Sequence, residues 1–222
     1  SNSAPKLALQ QILDAYDLEG GDVVLLDTGT YSTNADARII WSRGGNTNAD
    51  VVVQGNFNSP YATVLERSGS GSAIGIDVKA SYVQLKDMNV KGTDRGIRLE
   101  SNRNVTVQGV IVGDSAAGPA TGLDVRGAQE TVVRNSAFWK TGIGVNLLNT
   151  SDSVLENLTF AGSTLAGIQL QNTVLDTLQN NVFVPVSNAY AYSIGDSVSL
   201  LADATMDYNL YDFSGTNSGF YL

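Results

Sequence analysis

The chain has 222 residues, of which 22 are acidic and 13 basic, and it contains neither histidine nor cysteine. A net charge of −9 without a basic patch excludes a nucleic-acid-binding class, and the lack of cysteine excludes disulfides and thiol chemistry. No run of 18 apolar residues is present, so the sequence predicts no membrane-spanning segment.

The N-terminal residues predict a short amphipathic helix that covers one end of the domain. Apolar side chains recur there at the helical spacing i, i+3, i+4 and i+7: Leu9, Ile12, Leu13 and Tyr16. We expect this cap helix over residues 4–20, because the open end of a repeat protein needs a cover with a polar outer face. Residues 1–3 are interpreted as a remnant of cloning.

The segment after the helix predicts strands of variable spacing. Residues 22–26 form the first predicted strand, and less regular strands follow at 38–41, 51–54 and 63–66. Glycine- and asparagine-rich turns divide these strands.

From residue 75 onward, one strand phrase recurs at a nearly constant interval. Five copies begin with glycine and two looser copies follow: Gly75, Gly96, Gly122, Gly144, Gly167, then Ala191 and Gly219. A second phrase keeps the same step and is marked by the residues Asp87, Gly109, Asn135, Asn157 and Asn180. A third short strand places an apolar residue three positions after each marker: Val90, Val112, Phe138, Phe160 and Phe183. Phrases that keep step in this way indicate a solenoid of stacked repeats.

Three short strands per turn of about 22–26 residues predict an all-β fold, a right-handed parallel β-helix. Coils stack at about 4.8 Å, so equivalent residues should lie directly above one another. We therefore expect an aromatic stack inside the tube, made of Phe138, Phe160 and Phe183. We also expect a ladder of left-handed asparagines at one corner, made of Asn135, Asn157 and Asn180.

The repeats predict one domain over residues 4–222, with stacked coils over 22–222. The chain stops at 219–222, inside a strand phrase, which indicates a fragment of a longer protein with neighbouring domains.

Two segments resemble pectate-lyase-like β-helix domains. Residues 4–31, where a helix leads through Gly20 and Gly21 into Thr28–Tyr31, resemble the start of such domains. Asp207–Tyr211 resembles a phrase common in secreted bacterial β-helix repeat proteins, some of which are very large surface proteins. The resemblance implies the fold and a secreted or cell-surface location in a bacterium.

The resemblance also implies where a sugar groove would lie, on the outward face of the glycine-phrase strands. Two columns of residues are expected there. The first is Asp77, Arg98, Asp124, Asn146, Gln169 and Ser193, and the second is Lys79, Glu100, Arg126, Leu148 and Gln171. Over three coils opposite charges face one another, which predicts mutual pairing of those side chains. The alternative is a polar ligand-binding face made of Asp77, Arg98, Asp124, Arg126 and Asn146, together with Trp139.

An enzyme of this family would need a base, often Arg or Lys, and for a lyase a Ca²⁺ ion held by acidic side chains. The candidates lie on loops beside the expected groove: Lys91, Asp94 and Arg95, with Lys140 two coils away. Loop charges are usually solvated, and that is the preferred interpretation of this set, with catalysis as the alternative. Trp139, beside Lys140, would either stack on a sugar ring or cover a corner of the tube.

Because no carboxylate cluster and no histidine stand out, the sequence favours a non-catalytic structural or adhesive module that binds a polysaccharide or surface glycan, with no metal or other cofactor. The alternative is a lyase or epimerase acting on acidic (uronate) polysaccharide, which would use Ca²⁺. No nucleic-acid partner and no membrane insertion are expected.

Overall fold

The computed structural model describes residues 9–33, 39–67, 74–91, 94–113, 118–186, 188–195, 204–212 and 219–221. Within them, one α-helix, α1 (Leu9–Ala15), precedes the strands, and a 3₁₀ turn covers Pro60–Ala62. The strands are, in chain order, β1 Val23–Leu25, β2 Gly29–Thr33, β3 Ile39–Trp41, β4 Val51–Gln54, β5 Thr63–Arg67, β6 Ile74–Val78, β7 Val83–Lys86, β8 Asn89–Lys91, β9 Arg95–Glu100, β10 Arg103–Gln108, β11 Ile111–Gly113, β12 Thr121–Arg126, β13 Gln129–Arg134, β14 Ala137–Trp139, β15 Ile143–Leu148, β16 Ser153–Glu156, β17 Thr159–Ala161, β18 Ala166–Gln171, β19 Leu175–Gln179, β20 Val182–Val184, β21 Tyr190–Ile194, β22 Thr205–Asp207, β23 Leu210–Tyr211 and β24 Gly219–Tyr221.

These strands form three parallel sheets of eight strands each within the described residues. Sheet I runs β1-β4-β7-β10-β13-β16-β19-β22, sheet II runs β2-β5-β8-β11-β14-β17-β20-β23, and sheet III runs β3-β6-β9-β12-β15-β18-β21-β24. Each coil contributes one strand to every sheet, so the predicted parallel β-helix is confirmed. The glycine phrases all lie in sheet III.

The aromatic stack inside the tube is confirmed. The ring centroids of Phe138 and Phe160 lie 5.3 Å apart, and those of Phe160 and Phe183 lie 4.8 Å apart. Tyr211 extends the stack by one coil, at 5.2 Å from Phe183. The register of sheet II places all four residues in one column, because parallel strands without a register shift keep equivalent residues aligned.

The recurring glycines of sheet III make room for these rings across the tube. A Cβ atom on Gly122 would lie 2.6 Å from Cδ1 of Phe138, and one on Gly167 would lie 2.7 Å from Cδ1 of Phe183. Each glycine precedes its ring by 16 residues in the sequence. The first and third phrases of the repeat are therefore coupled by packing, because a ring can only occupy this place where the facing residue has no side chain.

Left-handed backbone marks the corners of the tube, as predicted for the asparagine ladder. The φ angles of Asn135, Asn157 and Asn180 are 51°, 54° and 56°, and Nδ2 of Asn157 donates to Oδ1 of Asn135 at 3.1 Å. A second ladder, not predicted, lies between sheets III and I, where Nδ2 of Asn172 donates to Oδ1 of Asn149 at 2.8 Å. Asparagine suits these corners because it tolerates the left-handed conformation and bonds to its neighbour in the next coil.

The N-terminal helix packs on the first coil. Leu9 and Leu13 are buried in the core cluster with Trp41, and Ile12 packs against it. The helix ends at Ala15, earlier than predicted, and Tyr16 lies beyond it with 61% of its surface exposed. The predicted residues 1–8 lie outside the described part of the chain. No helix in the described part is long and apolar enough to cross a membrane.

Candidate functional site

The register of sheet III places the first predicted column on one outward-facing line. Asp77 pairs with Arg98, Arg98 with Asp124, and Asp124 with Asn146 across neighbouring strands. The residues on either side of Asp77, Ile76 and Val78, are buried in the core, so Asp77 points away from it. The predicted column is therefore present as a continuous line along the outside of the tube.

Arg98 and Asp77 form a two-point ion pair. The guanidinium Nε donates to Asp77 Oδ1 at 2.9 Å and a terminal nitrogen donates to Oδ2 at 2.7 Å, while Glu100 lies 3.3 Å from the same nitrogen. The hydrogen bond to Asp77 raises the pKa of Arg98 above its ordinary value. The Asp77 side chain is fully buried and that of Arg98 is 15% exposed, so the pair is shielded from solvent.

Asp124 is held by Arg126, as the opposed charges of the two columns predict, and also by Arg95 and Asn146. Arg126 Nε donates to its Oδ2 at 2.9 Å, Arg95 Nε lies 3.2 Å from the same oxygen, and Asn146 Nδ2 donates to its Oδ1 at 2.9 Å. The alternation of charges also predicts that Arg98 lies between Asp77 and Asp124 and pairs with both. Instead, the guanidinium of Arg98 donates two hydrogen bonds to Asp77, which corrects that part of the prediction.

The loop candidates for a catalytic base do not form one cluster of unpaired charges. Arg95 was expected on a loop, but it begins β9 and pairs with Asp124. Lys91 ends β8, and Asp94 precedes β9 with its carbonyl oxygen bound to the amide of Thr121 at 3.1 Å. Lys140 follows β14 on an exposed corner and has a φ of 52°. Arg95 is thereby removed from the candidate bases, because its guanidinium is paired with Asp124.

An apolar ridge lies along the corner between sheets II and III, and the sequence identified only its first member. The ridge consists of the exposed residues Trp139, Leu165, Val184 and Val186. Trp139 ends β14 and Val184 ends β20, and both are in register with Ala161 between them. Leu165 and Val186 lie in the turns that lead from these coils into sheet III. Their exposure could not be read from the sequence, where the same residue types also fill the core.

The outward face of sheet III has two parts of different chemistry. The upstream part carries four basic and three acidic residues: Lys79, Arg95, Arg98, Arg126, Asp77, Glu100 and Asp124. The downstream part carries an amide row, which consists of Asn146, Gln169, Gln171 and Ser193. Oδ1 of Asn146 accepts no hydrogen bond from the described residues. Among those residues, no group of three or more carboxylates is placed to hold a metal ion.

Comparison with known proteins supports the fold. The family model described as "Right handed beta helix region" matches residues 72–218. Among solved structures, an alginate lyase from Paenibacillus sp. str. FPU-7 is 14% identical, with 96% of each chain covered and a TM-score of 0.60. The pectate lyase Pel9A is 18% identical over 94% of this chain, with a TM-score of 0.62. A rhamnogalacturonan lyase is 14% identical over all of this chain, with a TM-score of 0.62.

The chain spans 53% of that pectate lyase and 59% of that rhamnogalacturonan lyase. No protein of curated function matches the chain. At these identities the similarity establishes the fold alone.

Proposed function

This chain belongs to the right-handed β-helix family, and we propose that it is a non-catalytic, glycan-binding module of a secreted or cell-surface bacterial protein. The proposed binding surface is the outward face of sheet III. Long outward-facing columns on a rigid solenoid suit an extended chain ligand, because successive coils present the same type of contact at about 4.8 Å intervals.

The non-catalytic part of the proposal is supported by the ion pairs that the arginines make with carboxylates of the chain itself. A base that removes a proton next to a carboxylate must reach the substrate, and a second cation must neutralise that carboxylate. Arg98 is committed to Asp77, and Arg95 and Arg126 are committed to Asp124. The three guanidiniums of this face therefore serve as internal counter-charges, which makes them poor candidates for either catalytic role.

A lyase or epimerase is the second candidate function. The three similar structures are named as lyases of alginate, pectate and rhamnogalacturonan, and two lysines, Lys91 and Lys140, border the face. In that case one lysine would act as the base, and a bound Ca²⁺ would neutralise the uronate.

One experiment separates the two functions. The protein is incubated with alginate, polygalacturonate and rhamnogalacturonan, with and without Ca²⁺, while the ultraviolet absorbance of unsaturated products is followed. In parallel, its mobility is measured in gels that contain acidic or uncharged polysaccharides. We expect constant absorbance and retarded mobility in at least one gel. An absorbance rise that Lys91→Ala or Lys140→Ala abolishes, with unchanged melting temperature, would establish the enzyme instead.

A further inference from the structure

We infer that the outward face of sheet II binds a second copy of this chain, with the two tubes side by side and running in opposite directions. The inference goes beyond the proposed glycan-binding function and does not depend on it. It assigns Trp139 and Val184 of the apolar ridge to a contact between proteins, and it leaves the outward face of sheet III for a ligand.

The outward face of sheet II is uncharged from β11 to β20. Its side chains alternate with the buried residues of the same strands, so they point away from the core. In strand order they are Ile111 and Gly113, Ala137 and Trp139, Thr159 and Ala161, and Val182 and Val184. Leu210 of β23 continues the first column, in register with Val182. The described helix packs on the first coil, so no helix of the described chain covers these strands.

This face exposes apolar surface that a solvated sheet would not need. Trp139, Val184 and Leu210 are 50%, 36% and 62% exposed, and the printed register keeps all three on the same side of one sheet. Contiguous exposed apolar surface marks interaction sites, and the centres of protein interfaces are depleted in charge and enriched in tryptophan. A flat sheet packs well on a second sheet, face to face at about 10 Å with the strands nearly aligned.

The face complements itself when a two-fold axis parallel to the strands relates the two copies. Such an axis reverses the order of the coils, so that the row of Trp139 can face the row of Ala161 in the other copy. The indole then occupies the space above a methyl group, and the symmetry forms this contact twice. Ile111 faces Val182 of the other copy in the same arrangement.

The charges at the two ends of the face support the reversed order. Lys91, beside Glu66 on the neighbouring strand, lies one coil upstream of Ile111, and Asp212 follows Tyr211 at the downstream end. Reversed coils place Asp212 of one copy opposite Lys91 of the other. A two-fold axis along the tube would instead bring like charges together at both ends, which is unfavourable.

The dimensions of the face predict a reversible dimer. Five coil spacings separate the rows of Lys91 and Asp212, so the face is about 24 Å long, and strands of three residues make it about 10 Å wide. This area is small beside the roughly 800 Å² per partner of a stable complex. The net charge of −9 on each copy adds long-range repulsion. We therefore expect a dissociation constant in the micromolar range.

Sedimentation of the full chain, from low micromolar to submillimolar concentration, measures this equilibrium. We expect a concentration-dependent dimer, which Val184→Arg weakens about 10-fold or more. Val174→Arg is the matched control, because Val174 is a valine of similar exposure (46%) that lies in the turn before β19 of sheet I. It should dimerise like the unsubstituted protein, and thermal unfolding should show that both variants are folded.

Cross-linking tests the order of the coils, and the chain has no cysteine of its own to interfere. The reversed arrangement places the two copies of Ala161 within about one coil spacing along the tube, and those of Leu210 about 24 Å apart. A short bis-maleimide should therefore join two chains of Ala161→Cys efficiently and two chains of Leu210→Cys hardly at all.

Three outcomes overturn the inference. A monomer at every concentration would show that no second copy binds. A dimer that Val184→Arg and Val174→Arg affect equally would place the contact on another surface. Efficient cross-linking of Leu210→Cys would refute the reversed order of the coils. None of these results bears on glycan binding, which the polysaccharide gels measure separately.

Discussion

On the face of sheet III, each of three arginines is paired with a particular carboxylate. Arg98 makes two hydrogen bonds to Asp77, and Arg95 and Arg126 converge on Asp124. Both aspartates are buried, at 0% and 1% exposure. Because a buried carboxylate without a counter-charge is strongly destabilising, these arginines are needed for folding whatever the face binds.

Removing the Arg98 side chain should therefore be costly. Arg98→Ala leaves Asp77 buried without its two-point partner, and we expect the free energy of unfolding in urea to fall by about 3–5 kcal/mol. Asp77→Asn in the same background should recover part of this loss, since an amide needs no counter-charge. Arg103→Ala is the control, because its ion pair with Glu130 is exposed and should contribute little. Equal effects of the two arginine substitutions would return Arg98 to the candidates for ligand binding.

The raised pKa of the Tyr211 hydroxyl predicts that the folded protein loses stability at alkaline pH. Burial, with a smaller contribution from Tyr192, raises the pKa of Tyr211 to about 12. An unfolded tyrosine ionises near pH 10, so the folded state holds this proton more tightly. The resulting stabilisation is complete below about pH 10 and is lost as the pH rises towards 12.

The measurement is urea unfolding at a series of pH values from 8 to about 11. Tyr211→Phe keeps a ring next to Phe183 but removes the titrating hydroxyl, so its stability should decline less steeply above pH 10. Some decline should remain, because burial also raises the pKa of Tyr192. Parallel curves for the two proteins would contradict a role for Tyr211.

Among the structural elements, the aromatic stack of sheet II and the glycine column of sheet III work as a unit. Phe160 is 1% exposed, lies between Phe138 and Phe183, and faces Gly144 across the tube. The sequence shows these residues as two separate periodic patterns. Their contact explains why both patterns advance together along the chain.

Phe160→Ala should lower the free energy of unfolding by about 3–5 kcal/mol, through lost burial and a cavity between two stacked rings. Phe57→Ala removes the same side chain from a turn where it is 69% exposed, and it should change stability by less than about 0.5 kcal/mol. Chemical denaturation of both variants tests this. A loss below about 1 kcal/mol for Phe160→Ala would show that the ring is not an essential part of the core.

The corner glycines should respond differently from those that face the rings. Gly127 has a φ of 60° and nothing closer to an added Cβ than Ser101 Oγ at 3.6 Å, and the next coils carry Asn149 and Asn172 at this corner. Gly127→Asn should be neutral or stabilise the fold by up to about 1 kcal/mol, because the unfolded chain becomes less flexible. Gly144→Ala should instead destabilise by about 1–3 kcal/mol, since the methyl group would meet the Phe160 ring and the Gly167 carbonyl. Melting temperatures that move in the same direction for both would contradict this distinction.

At the scale of the whole molecule, inward columns, glycines and corner asparagines build the tube. The outward columns differ in role along the axis, because the buried Asp77 and Asp124 with their arginines also stabilise the fold, whereas the downstream columns carry no charge. Along sheet III the outward chemistry changes from paired charges to amides, whereas the core of aliphatic and aromatic residues continues unchanged. A rigid tube with graded outer chemistry suits a ligand that spans several coils.

The sequence alone determined the fold, the register of the coils, the Phe138–Phe160–Phe183 stack and the left-handed Asn135, Asn157 and Asn180, because a repeat that stacks on itself makes local periodicity identical to spatial order. It also placed the columns of the outward face. Only the tertiary structure decided which partner each charge takes, as in Arg95 with Asp124, and which apolar residues stay exposed, as in Leu165. The choice of ion-pair partner and the exposure of an apolar side chain depend on side-chain length and on the shape of each corner. Both vary from coil to coil and leave no periodic signal in the sequence.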